Sequence, residues 1–364
     1  MERGVGGAVL AAAVTMACSP QAGEVEETGV ASADGEGALS PSVPHVVEYE
    51  GGAGVAAGKR VVLISGDHEY RSEELLPALG RILARRFGFD ARVFFTLDEE
   101  GFIEPGSSDI SGLGELETAD LLIIAIRFQD FPGEEMQHVV DYLDRGGPVI
   151  GLRTSTHAFA IDEGPFARYS WDYEGDEYAN GFGRQVLGET WVGHYGTNHE
   201  QSSRILPLDE RVAHPIFRGV DDMHAQSGGY QAYPIEGSDV LAVGQVLNGM
   251  GPDSPPDTEK EHLPVVWTRT YAGSSGVEGR VFTSTHGASE DLLNAGFRRM
   301  VVNAALWAVG LEDRIDPESD ISFVGPYNPV VFSFDGYRRG VRPSDLAGWD
   351  TPIMSVDRPT TDTP

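Results

Sequence analysis

Apolar positions along the chain fall into three regimes. Residues 5–14 form one short apolar run, residues 19–58 show no periodic pattern, and from Lys59 onward brief apolar runs alternate with amphipathic stretches. In the third regime Arg60–Ser65 is β-branched and apolar and stops at Gly66, as a strand buried on both faces should. Leu75, Leu76, Leu79, Ile82, Leu83 and Arg86 then follow helical spacing, with Gly88 as the stop. Ala91–Phe95 reads as a second strand and Asp120–Ile126 as a third, the clearest of all. A helix opens at Pro132 with Met136, Val139, Val140 and Leu143 on one stripe, and Gly146 ends it. Pro148–Leu152 is the fourth strand. This alternation predicts an α/β fold: a doubly wound, mostly parallel sheet with helices on both faces.

Beyond Asp162 the pattern loosens into loops rich in Gly, Tyr, Trp and His, with short strands at Ser203–Leu208 and Val240–Val246. Leu263–Arg269 and Arg280–Ser284 form a closing pair around a Gly-rich turn. The last helix is expected over Glu290–Val309, with Leu293, Phe297, Met300, Val301, Ala304 and Ala308 buried. Residues 313–364 read as an aromatic strap followed by a disordered Pro/Thr/Asp tail.

The first two regimes speak of export. Arg3, the apolar run and Thr15-Met16-Ala17-Cys18 make residues 1–18 a signal peptide, too short to remain as a membrane span. A small residue before the chain's single cysteine fits lipidation at Cys18, although Thr15 stands where Leu is usual, and an ordinary secretory peptide is the alternative. Periplasm or cell envelope is the expected location, with a lipid anchor as the sole membrane contact. Residues 19–58 carry seven acids and no Lys or Arg, the composition of a disordered acidic tether. Overall, 57 acidic residues against 26 basic ones give a net charge of −31, which argues against nucleic acid or anionic lipid as partners.

Ligands of open parallel sheets bind where the strands end. Three strand ends carry polar groups: Asp67-His68-Glu69, Arg153-Thr154-Ser155-Thr156-His157 and Thr283-Ser284-Thr285-His286. Histidine there exchanges protons near neutral pH, so His157 and His286 are candidate acid/base residues with Asp67, His68 and Glu69 assisting. Both histidines are expected to line one pocket. Trp191, His194, His199 and Tyr230, with Arg153, Thr154 and Ser155, are candidate sugar-binding residues, since aromatic faces stack on sugar rings. His194 and His199 are five apart, which is not the helical spacing of a zinc pair, so no cofactor is expected and zinc is the alternative. No Gly-rich phosphate loop follows the first strand, and the region after Cys18 holds no thiol nucleophile.

Several stretches together resemble the ThuA-like, or trehalose-utilisation, family. They are Gly146–Leu152 followed by His157, Leu187–His194, His214-Pro215-Ile216, Leu263–Arg269, Gly279–Phe282 leading to His286, and Asn303–Ala308. The resemblance covers 59–312 and implies a flavodoxin-like fold related to class I glutamine amidotransferases, and a role in disaccharide use. Those amidotransferases carry a cysteine at the elbow where this chain reads Arg153-Thr154-Ser155, so amidotransferase activity is not implied here. Three functions follow as expectations: hydrolysis or isomerisation of a small-molecule sugar or keto-sugar by histidine chemistry, non-catalytic carbohydrate binding, and zinc-dependent hydrolysis.

Overall fold

In the computed structural model, residues 44–329 and 331–354 are described, and the signal peptide, Cys18, most of the acidic segment and the final ten residues lie outside them. The strands predicted from apolar runs are β2 (Arg60–Gly66), β3 (Asp90–Phe95), β4 (Leu121–Ile126) and β5 (Val149–Leu152). With β12 (Glu278–Ser284) they form five parallel strands in the order β3-β2-β4-β5-β12. An antiparallel extension continues through β11 (Leu263–Ala272), β10 (Asp239–Leu247), β7 (Ser202–Pro207) and β8 (His224–Ala225), giving ten strands with β1. A separate two-stranded ribbon pairs β6 (His194–Tyr195) with β9 (Gly229–Tyr230).

The period of two along each strand divides the core into two layers. Val61 and Leu63 of β2 and Ile123 of β4 face α1 (Ser72–Ile82) and α3 (Ala295–Ala308). Val62, Ile64, Leu122 and Ile124 face α2 (Gly133–Asp144). The α/β architecture with helices on both faces is therefore as the pattern predicts. Gly151 on β5 has a specific reason to be glycine: a side chain there would begin 2.5 Å from Leu187 Cδ1.

Two boundaries differ from expectation. Order begins before Lys59, because Val46–Tyr49 forms β1, an edge strand antiparallel to β3. Val47 and Tyr49 are buried, and Tyr49 Oη donates to Leu346 O at 2.9 Å, so residues 44–58 belong to the domain rather than to a tether. The last helix also starts later than Glu290. Residues 289–293 form a 3₁₀ turn, and Asn294 caps α3 by accepting from Phe297 N at 2.8 Å. Leu293 is consequently exposed instead of buried.

After α3 the chain folds back as a strap. Its short strands β13 (Tyr327–Asn328) and β14 (Ile353–Met354) pair in parallel. Leu346 and Ile353 join the core beside α1, and Arg81 Nη1 donates to Thr351 O at 2.7 Å. This cover explains why every residue of α1 is buried. Glu73 and Glu290 are buried beneath it, with Glu290 Oε2 accepting from Phe332 N at 2.9 Å.

Two outcomes are expected. A chain beginning at Lys59 should melt several degrees lower than one beginning at Pro44, and Tyr49→Ala should cost about 3–5 kcal/mol by denaturant titration; unchanged melting of both would detach β1 from the fold. Burial raises Glu73 to about 7 and Glu290 to about 8, above the ordinary carboxylate range. A folded-state value above the unfolded one gives stability that is fully present below the unfolded value of 4.5 and is lost progressively as pH rises to the folded values of about 7 and 8. Melting temperature should accordingly fall from about pH 4.5 up to about pH 8 and level off above it, and Glu290→Gln should flatten that fall.

Candidate functional site

β5 ends at Leu152, and the next residue, Arg153, takes a left-handed conformation with φ 49°. That bend sends Arg153–His157 into a 3₁₀ turn and drives the Arg153 guanidinium inward. Nη1 donates to Gly228 O and to Thr285 O (2.8 Å), and Nη2 donates to Tyr70 Oη at 2.8 Å. The guanidinium carbon lies 4.1 Å from the ring centres of both Tyr70 and Tyr230. Among the described residues no carboxylate comes within ion-pair distance of this cation; aromatic faces and carbonyls hold it instead. Its pKa is raised, mainly by Tyr230 and Tyr70 acting against burial, so it stays charged.

Asp67 organises the loop after β2. Its Oδ1 accepts from Glu69 N (2.9 Å) and Tyr70 N (3.3 Å), and its Oδ2 accepts from Thr154 Oγ1 at 2.7 Å. Thr154 thereby ties the second strand-end loop to the first. Ser155 turns inward, donating to Ile124 O and Leu152 O, and so supports the turn rather than facing a ligand.

Above this layer lies a cluster of rings. His157 is 4.9 Å from Phe128, 5.4 Å from Trp191 and 5.8 Å from Tyr230, between centroids. Trp171 extends the row, 5.5 Å from Phe128 and 6.1 Å from Trp191. His194 stands exposed at the edge, 5.9 Å from Trp191 and 5.6 Å from Tyr230. Arg127 Nη1 donates to His68 Nε2 at 2.9 Å, and its guanidinium carbon lies 4.7 Å from the Phe128 ring centre and 5.0 Å from that of Phe334. The strap thus supplies Phe334, exposed beside His68, and Phe332, buried against Tyr70 (4.7 Å) and stacked on His199 (4.5 Å).

His286 does not join the ring cluster. It is fully buried, and its Nδ1 donates to Ser227 O at 2.8 Å. Asp291 fixes the same corner, accepting from Ser227 N, Ser227 Oγ, Gly287 N and Ala288 N. His286 packs against Gly229 while His157 packs against Tyr230, so the two flank one segment rather than an open pocket. His194 and His199 are likewise divided, one against Tyr230 and the other on Phe332. Among the described residues no three His, Cys, Asp or Glu side chains are arranged to hold a metal.

Burial and nearby cations disfavour the charged forms of His157, His194 and His286. Burial, then Arg127 and Arg153, push His157 well below its ordinary value. Burial, then Arg153 and Arg127, lower His194 to about 4. His286 is lowered to about 4, chiefly by burial. Glu69 moves the other way, raised by burial and by Asp67. A neutral imidazole accepts a proton or a hydrogen bond, whereas a raised carboxyl can deliver one.

Sequence reasoning assigned no site role to Tyr70, Arg127, Phe128, Trp171, Phe332 and Phe334. Arg127-Phe128 directly follows β4, so the strand-end rule pointed there. The strap residues carry no local signal.

Against known proteins, the ThuA family, described as "Trehalose utilisation", matches residues 60–308. A ThuA-like protein of Parabacteroides merdae ATCC 43184 is 15% identical, covering 69% of this chain and 90% of its own, with TM-score 0.44. Another from Bacteroides uniformis ATCC 8492 is 13% identical, covering 74% and 98%, with TM-score 0.43. No curated protein matches.

Removing the central cation should be costly. Arg153→Ala strands Gly228 O, Thr285 O and one side of Tyr70 Oη, and a loss of about 3–5 kcal/mol is expected in urea titration. Arg153→Lys should recover little, because an ammonium lacks the planar fork that reaches three oxygens. Near-wild-type stability of either variant would remove the cation from its structural role.

Proposed function

Because this chain belongs to the ThuA family, we propose that the ring cluster around His157 binds a carbohydrate and that the protein acts on it by proton transfer. The observation that carries this reading is the continuous row Phe128, Trp171, Trp191 and Tyr230 with polar groups at its edge. Apolar faces of a sugar stack on such rings while its hydroxyls bond to imidazole and carboxyl groups. His157, neutral, acts as proton or hydrogen-bond acceptor, His194 bonds a ligand oxygen at the edge, and Glu69 is the proton donor. His286 supports the Ser227–Tyr230 segment, in place of the acid/base partnership expected for it. Hydrolysis, or isomerisation of a keto-sugar, needs no more than such an acceptor and donor.

Burial of His157 favours a second reading, carbohydrate binding without turnover, since only 2% of its surface is accessible. No cofactor is part of the proposal, and the separate partners of His194 and His199 give zinc hydrolysis no support. Export, with lipid attachment at Cys18, is proposed from the signal-like first 18 residues; among the described residues no helix is long and apolar enough to cross a membrane.

Titration with trehalose, glucose and an oxidised (keto) disaccharide, followed by tryptophan fluorescence, tests the ring cluster. Trp191→Ala should weaken binding by about tenfold, or 1.4 kcal/mol. Absence of binding to all three sugars, or indifference to Trp191→Ala, would reject the carbohydrate reading. If Glu69→Gln binds normally but loses product formation, the catalytic version stands. A wild type that binds without ever forming product leaves the binding protein.

A further inference from the structure

The hydrogen bonds around Tyr70 determine which nitrogen of His194 carries its proton. Tyr70 Oη lies 2.8 Å from Arg153 Nη2, 3.1 Å from Asn198 Nδ2 and 3.2 Å from His194 Nε2. A guanidinium has donors and no acceptor, so Arg153 donates. The Asn198 amide nitrogen is also a donor, and its other neighbour, Glu69 Oε1 at 3.5 Å, is an acceptor that fits this orientation. A phenol oxygen accepts twice and donates once. With both acceptor places taken by N–H groups, Oη cannot take a third from His194; its proton has His194 Nε2 and the neighbouring Glu69 carboxyl as acceptors, and in either case Nε2 carries no proton. In a neutral imidazole the proton then sits on Nδ1, and Nδ1 has no hydrogen-bond partner among the described residues.

We infer that Arg153 and Tyr70 form a buried positioning device that locks His194 as the Nδ1–H tautomer, so that the site offers its ligand one fixed N–H donor for a carbonyl or hydroxyl oxygen of a carbohydrate. The ligand class in this inference rests on the carbohydrate reading; the tautomer does not. Tyr70 and Arg153 are themselves almost fully buried and act through His194, which is exposed. The Phe332 ring, 4.7 Å from that of Tyr70, backs the phenol from the strap side, and Arg153 lies over its face, so the hydroxyl has little freedom to turn elsewhere. Tyr230, across the two-stranded ribbon, and Trp191, earlier in the same segment, flank the His194 ring. The nearby cations Arg153 and Arg127 oppose a second proton on it. His194 thus supplies a hydrogen bond of fixed direction instead of a transferable proton.

Nitrogen-15 NMR of the full chain with ring-labelled histidine tests this, His194 being assigned by the signal absent from His194→Asn. At neutral pH the expected pattern is a protonated Nδ1 and a bare Nε2, persisting on acidification until near pH 4. In Tyr70→Phe, Nε2 loses its donor and the Nε2–H form should appear. An Nε2–H or doubly protonated His194 in the wild type at neutral pH overturns the inference, as does an identical His194 pattern in Tyr70→Phe. The wild-type spectrum decides even if that variant does not fold. With trehalose as probe, His194→Asn, whose amide nitrogen replaces Nδ1, should bind within about threefold of wild type, and His194→Gln should lose about tenfold. The reverse ranking overturns the donor role. Failure of trehalose to bind the wild type counts against the carbohydrate reading, while the tautomer stands or falls by the spectrum.

Discussion

A guanidinium in the interior is tolerated only when its charge and its donors are met by fixed groups, and Arg153 meets that condition in one arrangement. The acceptors are the carbonyls of Gly228 and Thr285 and the hydroxyl of Tyr70; the charge lies between the faces of Tyr70 and Tyr230. These groups come from the loop after β2, the end of β12 and the β9 segment. The parallel half of the sheet and the separate β6–β9 ribbon must both be in place before the cation is satisfied. The left-handed turn at Arg153 is the local strain that accompanies this placement. Its position matters: the side chain enters the sheet's interior at the point where a strand end would ordinarily present a group to a ligand.

A cation held by rings and carbonyls, without a carboxylate, leaves its positive field largely uncancelled. The effect is visible on its neighbours, for His157 and His194 are both driven below their ordinary range by burial together with Arg153 and Arg127. The same enclosure raises Glu69. The site therefore presents imidazoles of lowered proton affinity and a carboxyl of raised proton affinity, with aromatic rings between them.

Much of the fold was legible because strands buried on both faces have unbroken apolar runs, as in Leu121–Ile126. β1 escaped because its four residues sit at a sheet edge, directly after a stretch composed like a tether. The start of α3 was misplaced because the apolar stripe runs back through Leu293, whereas the Asn294 cap fixes the first turn. In the site, the repeated Thr-Ser-Thr-His was the misleading signal. At 154–157 the four residues lie in a turn beyond the bend at Arg153, and His157 reaches the rings. At 283–286 the first two still belong to β12, and Thr283 Oγ1 donates to Leu187 O, so His286 is carried into the interior. Identical side chains in series met different backbones. Local sequence does not encode that difference; the Arg153 side chain and the Asp291 corner produce it.

The strap shows how a segment beyond the family match can become part of the site. Phe332 packs on Tyr70 and stacks on His199, while its amide donates to the buried Glu290. Arg71, next to Tyr70, donates through Nη2 to both Ser333 O and Ser333 Oγ, and Asp335 N donates to His68 O. The contacts to His68, Tyr70 and Arg71 fall on the loop after β2, the loop that carries Asp67 and Glu69. Docking of the strap and the geometry of the ring cluster therefore share the same hydrogen bonds and the same ring contacts. In free-energy terms they are coupled: a change that loosens Phe332 relaxes Tyr70, and one that orders Tyr70 holds the strap.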